Sequence, residues 1–277
     1  MSWGDWLDRA SEVLRDAGLD DPRREAAAIS QAVLGPNARH YLRLSDPVPP
    51  DSLTRMDQIL TARAARQPLS QIIGRRAFWK HDFRVTRDTL DPRPDPETLI
   101  EAALALPWTS VLDLGTGTGA ILISLLAERA GTAGLGTDIS DAALAVARQN
   151  ATDIGVNADF RRADWFGGIE GCFDLIVSNP PYIALEEMAA LSPEVRDWEP
   201  HSALTDGGDG LSAYRMIAAG AGGHLSPGGH LLVEIGWQQG PAVGAIFTQA
   251  GGREVAILPD IDGRNRVVRA KFGKDPL

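Results

Sequence analysis

Residues 110–129, SVLDLGTGTGAILISLLAER, decide the predicted fold. The run SVLDLG favours a buried β-strand, and the run GAILISLLAER favours a helix. The glycines between them, Gly115, Gly117 and Gly119, let the backbone turn sharply and approach a ligand closely. The free N–H groups at the start of the helix would face that ligand. The segment therefore predicts a strand, a ligand-binding loop and a helix, although a tight turn without a ligand would give the same pattern.

The residues after this unit alternate between apolar runs and helical segments. Further strands are predicted for GLGTD, DFRRAD, FDLIVSN and GHLLVEIG, and a closing hairpin for REVAILPDIDGRNRVVRAKF. Alternating β and α units imply a parallel sheet with helices on both faces. We therefore predict an α/β fold with a mostly parallel, seven-stranded sheet.

The residues before this unit divide into two segments. In residues 1–70, apolar side chains recur at helical spacing between helix start and stop signals, which predicts a small N-terminal helical bundle. In residues 71–95, FWKHDFRVT alternates like a strand, so we expect a linker with a β-hairpin. Residues 96–277 would form the main domain, and Asp95 would cap its first helix.

Composition and charge limit the possible classes of protein. The chain has 277 residues, a net charge of −10 and one cysteine, Cys172. One cysteine allows no internal disulfide and no cysteine-based metal cluster, and the histidines show no ligand spacing, so no metal is predicted. No apolar run approaches the ~18 residues of a membrane span. Because the N-terminus is acidic and amphipathic, unlike a signal peptide, we expect a cytoplasmic protein.

Two further strand ends carry residues suited to a nucleoside. Asp138 ends the second strand, and an acidic residue there commonly holds the two hydroxyls of a ribose. It could instead cap the next helix, but Ser140 or Asp141 could do that. Trp165 follows the third strand, where an adenine would lie, or else belongs to the core. The spacing G-x-G-x-G departs from the dinucleotide fingerprint, so a pyrophosphate is not expected.

The stretch DLIVSNPPYIAL, residues 174–185, ends the fourth strand on Asn179. Pro180 and Pro181 then fix two φ angles and keep Asn179 out of the helical region. The side-chain carbonyl of Asn179 and the backbone carbonyl of Pro180 would be two acceptors at a fixed separation. They match the two N–H donors of a planar –NH2 group, and Tyr182 would form an aromatic wall against it. This corner predicts orientation and electrostatics rather than proton abstraction.

This ordered set of motifs resembles the Rossmann-like class I methyltransferases that use S-adenosyl-L-methionine. The resemblance implies that the first and fourth strands are neighbours, so that the corner lies beside the glycine loop. The residues implied to bind the cofactor are Gly115, Thr116, Gly117, Thr118, Gly119, Asp138, Trp165 and Asn179. Those implied to act in methyl transfer, which leaves S-adenosyl-L-homocysteine, are Asn179, Pro180 and Tyr182.

Such a corner serves either the exocyclic amines of nucleobases or the side-chain amide of glutamine. A DNA enzyme must flip its base and bind the flanking duplex, which needs a recognition domain and a basic surface. This chain is acidic and has only a small bundle, so a protein amide is favoured. Over nearly its full length the sequence resembles the bacterial release-factor glutamine methyltransferases of the HemK type. The stretches that carry this resemblance include REAAAI, QPLSQIIGRRAFW, LDPRPDPETLIE, IVSNPPYI, GGHLLVEIGWQQG and DGRNRVV.

The resemblance implies a substrate, the glutamine in the Gly-Gly-Gln motif of class I peptide chain release factors. The product would be N5-methylglutamine, the helical bundle would help to dock the factor, and the enzyme would be a monomer without stable nucleic-acid binding. The implied substrate-binding residues are Asn179, Pro180, Pro181, Tyr182 and Arg93. The chain departs from the family at Asp91 and Pro96, in the loop expected to line the substrate pocket.

Three alternatives stay open on the sequence. One is methylation of a glutamine in a ribosomal protein, and another is amino-methylation of adenine or cytosine in nucleic acid. The third is a cofactor-binding module without catalysis, against which the intact corner argues. The stretch GGDGL, residues 207–211, is interpreted as a loop before a helix that Asp209 caps.

Overall fold

The computed structural model describes residues 1–38, 43–93 and 95–272. The chain divides into two compact units, which are described separately below. Within the described ranges, no helix is both long enough and apolar enough to cross a membrane.

The two units are not simple consecutive halves of the chain. The first comprises Met1–Gly74 and Ser192–Trp198, and the second comprises Arg75–Leu191 and Glu199–Leu277. The sequence predicted boundaries after residues 70 and 95, whereas in the structure the first boundary follows Gly74. The difference arises because a short helix continues past residue 70 and because the hairpin that follows packs into the core of the second unit.

The N-terminal residues that the structure describes form four helices with defined bounds in the first unit. Its core is formed by apolar side chains on their inner faces, among which Trp6, Leu14 and Met56 are fully buried. Asp21 accepts a hydrogen bond from the N–H of Arg24 and Pro22 takes the first helical position, which starts the second helix. The helices are α1 (Trp3–Asp16), α2 (Pro22–Leu34), α3 (Pro50–Ala64) and α4 (Leu69–Ile73).

The rest of the chain forms nine strands and seven further α-helices among the described residues. The strands are β1 (Arg75–Phe78), β2 (His81–Arg84), β3 (Ser110–Leu114), β4 (Ala133–Asp138), β5 (Asp159–Arg162), β6 (Phe173–Ser178), β7 (Leu225–Glu234), β8 (Arg253–Pro259) and β9 (Asn265–Lys271). The helices are α5 (Glu97–Leu104), α6 (Ala120–Glu128), α7 (Asp141–Ile154), α8 (Pro193–Trp198), α9 (His201–Leu204), α10 (Ser212–His224) and α11 (Gly240–Gln249). A 3-10 helix covers Leu185–Ala190.

Seven strands form one sheet in the order β5-β4-β3-β6-β7-β9-β8, and β1 and β2 form a separate antiparallel hairpin. The pairs from β5 to β7 are parallel, and β9 is antiparallel to both β7 and β8. The predicted mostly parallel, seven-stranded sheet is confirmed. Leu114 pairs with Ser178, so the glycine loop and the Asn-Pro-Pro-Tyr corner begin side by side at one edge.

The core of the second unit lies on both faces of the sheet. Side chains alternate across it, so that Val111 belongs to one apolar cluster and Leu112 to the other. Helix α6 packs on the first face and helix α10 on the second. The hairpin adds Phe78 and Phe83 to the first cluster, which explains why it belongs to this unit.

The predicted cap of the first helix in this unit is wrong. Helix α5 begins at Glu97, with Pro96 before it and no side-chain cap. The carboxylate of Asp95 instead forms an ion pair with Arg266, at 3.2 Å between Oδ1 and Nη2. Because its carboxylate is paired with Arg266, Asp95 does not cap the helix.

Helix α8 belongs to the first unit although it follows β6 in the sequence. Glu194 accepts from Arg63 at 3.1 Å and from Arg66 at 2.7 Å, and Arg63 also pairs with Glu25 at 2.9 Å. Arg63 is buried, so its charge requires these partners. The helical unit is therefore completed by a segment far along the chain.

Candidate active site

A cavity of about 550 Å³ opens at the carboxyl ends of the parallel strands, entirely within the second unit. It lies where the strand order changes direction between β3 and β6, the usual ligand position in such sheets. Its lining comes from the glycine loop, the ends of β4, β5 and β6, the loop 87–93, and residues from Pro200 to Met216.

The glycine loop lines one wall of the cavity through residues 115–118. Gly115 and Gly117 have φ angles of 69° and 55°, and a Cβ at either would meet no atom within 4 Å, so the loop faces open space. Gly119 does not line the cavity. A Cβ there would lie 2.8 Å from Cδ1 of Ile123 and 3.2 Å from Cβ of Ala147, so this glycine lets α6 pack closely on α7. Gly119 therefore has a role in packing, and its predicted contact with the cofactor stays a prediction.

Asp113 supports the loop from inside the sheet. The hydroxyl of Thr116 donates to Oδ2 of Asp113 at 2.6 Å, and no described residue hydrogen-bonds Oδ1. Burial raises the pKa of this carboxyl to about 7, against the lowering effect of the Thr116 hydrogen bond. The carboxyl thus holds the loop and is partly protonated near neutral pH.

Asp138 lies at the end of β4 and lines the cavity. Its Oδ2 accepts from the N–H of Gly117 at 3.0 Å, and its Oδ1 accepts from the N–H of Ser140 at 2.9 Å. The cap of α7 is Ser140, which accepts from the N–H of Ala143. Asp138 is therefore not the helix cap, and its carboxylate is held at the cavity wall.

Trp165 also lines the cavity, beside Asp164 and beyond the end of β5. Its backbone has a φ of 50°, an uncommon conformation for a bulky residue. Part of its side chain packs against the core cluster on one face of the sheet. Trp165 thus joins the cavity wall and the core, the two roles that the sequence left open.

Asn179 follows β6 directly and lines the cavity together with Pro181. In the part of the chain that the structure describes, no group hydrogen-bonds the side chain of Asn179. The residue before it is anchored, because the hydroxyl of Ser178 donates to the carbonyl of Leu114 at 2.7 Å. That bond ties the corner to the strand that carries the glycine loop.

Pro180 and Tyr182 do not line the cavity. Pro180 is buried, and Tyr182 packs against the core, where its hydroxyl donates to Oε1 of Glu234 at 3.4 Å. Pro181 lines the cavity, whereas the Tyr182 side chain packs on the side of Glu234. The aromatic wall at Tyr182 stays a prediction, and this packing does not support it.

Glu234 is a buried carboxyl at the end of β7. Its Oε2 has no hydrogen-bond partner among the described residues. Burial, reinforced by the negative charge of Asp95, raises its pKa to about 8. Burial and the proximity of Glu234 also raise the pKa of Tyr182. The pair is thus kept largely neutral behind the corner.

Arg93 lines the cavity, but its charge is already paired. Its Nη2 lies 2.9 Å from Oε2 of Glu199, a carboxylate that is almost completely buried. Burial raises the pKa of Glu199, while the Arg93 guanidinium opposes that shift. Asp91 and Pro96, the two departures from the family pattern, line the same cavity.

Sequence reasoning missed the loop before α10 as part of the site. Asp206 lines the cavity, whereas Asp209 pairs with Arg215 and does not cap α10, so the predicted cap is wrong. Asp206 instead organises the loop by accepting from the backbone N–H groups of Gly208, Gly210 and Ser212. The dense glycines and aspartates of TDGGDGL could have indicated such a carboxylate-centred turn.

The switch-point cavity, the glycine loop and the acidic end of β4 together define a Rossmann-like methyltransferase. A methyltransferase from Pyrococcus furiosus shares the fold, with a TM-score of 0.56 and 17% identity over 79% of this chain and 98% of that chain. Family models named "Methyltransferase small domain" and "PrmC N-terminal domain" match residues 95–194 and 5–74.

Two relatives narrow the class further. A release factor glutamine methyltransferase from Cereibacter sphaeroides is 55% identical over 98% of this chain and 99% of its own length. One from Rhodospirillum rubrum is 42% identical over 97% of this chain and 84% of its own length. The chain belongs to the release factor glutamine methyltransferase family.

Proposed function

We propose that the protein transfers a methyl group from S-adenosyl-L-methionine to the side-chain amide nitrogen of the glutamine in the Gly-Gly-Gln motif of class I peptide chain release factors. The observation that carries this proposal is the side chain of Asn179, which lines the same cavity as the glycine loop. Among the described residues none hydrogen-bonds this side chain, so its amide can bind a group that enters the cavity.

The residues of the cavity fit the proposed cofactor. The open space before Gly115 and Gly117 admits a ligand close to the backbone, and the fixed carboxylate of Asp138 suits the ribose hydroxyls. Trp165 and Asp164 would contact the adenine. The carboxylate of Asp138 at the cavity wall suits a cationic sulfonium. When bound, the cofactor supplies an electrophilic methyl group.

The chain's own contribution to the reaction is orientation. The side-chain oxygen of Asn179 and the carbonyl of Pro180, which accepts no hydrogen bond from the described residues, would accept from both N–H groups of the glutamine amide. These two hydrogen bonds would return electron density to the amide nitrogen of the glutamine. They would also orient that nitrogen towards the methyl group. With the cofactor bound, attack of this nitrogen on the methyl carbon would form the N–C bond as the C–S bond breaks, leaving S-adenosyl-L-homocysteine, and the surplus proton would pass to water. Orientation of this kind can lower a barrier by ~7–11 kcal/mol in favourable cases.

The proposal also covers the partner of the enzyme, its oligomeric state and its location in the cell. The helical unit would dock the release factor, and the enzyme would work as a cytoplasmic monomer without stable nucleic-acid binding. The net charge of −10 supports a protein substrate, because nucleic-acid enzymes commonly present a basic surface. Residues 5–74 match the family model named "PrmC N-terminal domain". This match supports a docking role that the unit would share with other members of the family.

The test is methylation of purified substrates with isotope-labelled cofactor. A release factor, the same factor with glutamate in place of the motif glutamine, ribosomes and nucleic acids are each incubated with the enzyme. We expect label only on the unchanged factor, and peptide mass mapping should place one methyl group on the glutamine of the Gly-Gly-Gln motif. Label on a ribosomal protein or on a base instead would overturn the proposed substrate.

A further inference from the structure

The Asn-Pro-Pro-Tyr corner is held at both of its ends. At the first end, the Ser178 hydroxyl bonds to the carbonyl of Leu114. At the second end, the carbonyl of Tyr182 accepts from Nε2 of Gln239 at 2.9 Å. Because the two prolines between these ends have fixed φ angles, few backbone torsions remain free between the anchors. The orientation of Asn179 therefore depends on both of them.

The side-chain amide of Gln239 joins three segments of the chain. Its Nε2 also lies 3.3 Å from the carbonyl of Gly210. Its Oε1 accepts from the N–H of Gly236 at 3.0 Å, and the hydroxyl of Tyr214, which donates to the carbonyl of Glu234 at 2.9 Å, lies 3.4 Å from it. Although Gln239 directly precedes α11, its side chain makes no cap for that helix. The amide is thus committed to the corner and to the loop before α10.

That loop lies against the corner at unusually close range. Gly210 has a φ of 72°, and a Cβ there would lie 2.3 Å from the carbonyl oxygen of Tyr182, so only glycine fits. The N–H of Ile183 donates to the carbonyl of Leu204 at 2.9 Å, which adds a second link. The loop also brings Asp206 to the cavity lining. Corner and loop therefore form one wall of the site.

We propose that Gln239 is a positioning residue for methyl transfer. Its side-chain amide fixes the Tyr182 end of the corner to the loop before α10 and thereby sets the direction of the Asn179 side chain. Gln239 does not line the cavity, so it acts only through the corner. This inference rests on the proposed function, since it concerns the orientation of the amide that is methylated.

The main test replaces the two donors of Gln239 by acceptors in Gln239→Glu. The carboxylate would face the carbonyls of Tyr182 and Gly210, which it cannot bond. We expect kcat for the release factor to fall by about 10- to 100-fold, since small misplacements in an oriented reaction cost this much. Cofactor affinity, measured by calorimetry, should stay within about twofold of the wild type. Gln238→Glu adds the same charge at an exposed neighbouring position and should leave both values unchanged.

A pH profile separates a positioning role from general damage to the structure. The introduced carboxyl regains one donor when it is protonated, so the deficit in kcat of Gln239→Glu should shrink as pH falls. A deficit that does not change with pH, a kcat within about twofold of the wild type, or parallel losses of kcat and cofactor affinity would each overturn the proposal. Each kcat is expressed as a ratio to that of the wild type on the substrate that the wild type methylates. If the wild type does not methylate the release factor, the proposed function fails, and this result does not depend on the Gln239 variants.

Gln239→Met tests the same link without a new charge, should Gln239→Glu not fold. Methionine is similar in length and removes both donors to the carbonyls of Tyr182 and Gly210. We expect kcat to fall by about two- to tenfold, the usual worth of one hydrogen bond, at unchanged cofactor affinity. An unchanged kcat in this folded variant would overturn the proposal.

Discussion

The glycine loop and the Asn-Pro-Pro-Tyr corner start side by side on β3 and β6, yet they are built in opposite ways. The loop takes its shape from glycines at positive φ, and Asp113 and Asp138 satisfy its polar groups from within. The corner is stiffened by two prolines, and no described residue hydrogen-bonds the side chain of Asn179. The polar groups of the loop are thus already hydrogen-bonded within the protein, and a ligand would contact its backbone. The corner instead offers the amide of Asn179 for hydrogen bonds with a ligand.

The contrast extends to what lies behind each segment. The loop depends on the carboxyl groups of Asp113 on its own strand and Asp138 on the neighbouring strand. The corner depends on Ser178 and Gln239 at its ends. Changes to the loop should therefore affect cofactor affinity, and changes to the corner should affect kcat. The following four predictions test this division, from the largest expected effect to the smallest.

Asn179→Ala should have the largest effect. It removes one of the two acceptors that would orient the amide, so we expect kcat to fall by about 10²- to 10³-fold, as for loss of one orienting hydrogen bond in other sites. Cofactor affinity should change little, because the glycine loop and Asp138 are untouched. Steady-state kinetics and calorimetry measure the two values, and Asn157→Ala, at an exposed position, is the matched control. A variant with near-normal turnover would contradict the mechanism.

Asp138→Ala should act on the other side of the comparison. Loss of a charged acceptor for the ribose, and of the bonds from Gly117 and Ser140, should weaken cofactor binding by ~1–3 kcal/mol. kcat at saturating cofactor should be much less affected. Asp141→Ala removes a neighbouring acid that lies mostly in solvent and should leave affinity unchanged. Equal affinities for Asp138→Ala and the wild type would remove Asp138 from the cofactor site.

Glu234→Gln should change how stability depends on pH. The pKa of Glu234 is raised from its ordinary 4.5 to about 8, so the folded protein binds this proton more tightly than the unfolded chain. The stability it contributes is full below about pH 4.5 and is lost as pH rises towards about 8. The free energy of unfolding of the wild type, relative to the variant, should therefore fall with pH by at most ~1.4 kcal/mol per pH unit.

Urea unfolding from pH 5 to pH 8.5 measures this difference. Glu101→Gln removes an exposed carboxyl and provides the control. A wild-type-minus-variant difference that rises with pH would have the wrong sign and would contradict a buried, neutral Glu234. The result bears on the corner, because Glu234 accepts the hydroxyl of Tyr182.

Tyr182→Phe should have the smallest effect. It removes only the 3.4 Å contact between the hydroxyl and Glu234, so the free energy of unfolding should drop by less than about 1 kcal/mol. kcat should stay within about threefold of the wild type, since the hydroxyl lies on the core side of the corner. A loss of kcat as large as that of Asn179→Ala, in a stable protein, would mean that this hydroxyl reaches the substrate.

Much of the fold could be predicted because its signals are local. Alternating apolar runs gave the seven strands, and the glycines of the loop marked the first turn of the sheet. What could not be predicted depends on side-chain direction and on contacts distant in sequence. Gly119 and Tyr182 belong to motifs in which Gly115, Gly117, Asn179 and Pro181 line the cavity. The Tyr182 side chain and the Cβ position of Gly119 nevertheless point into packed regions. The roles of Asp206 and Gln239 arise only when separate loops meet at the edge of the sheet.

The return of α8 to the helical unit has a consequence for biosynthesis. Glu194 forms ion pairs with Arg63 and Arg66. These two arginines therefore lack the Glu194 carboxylate until translation has passed residue 198. A ribosome must therefore have made all of β3 to β6 before the N-terminal helices can reach their final state. A truncated chain that ends at residue 74 would carry a buried guanidinium short of one carboxylate, and fusion or deletion work on this protein should treat residues 192–198 as part of its N-terminal unit.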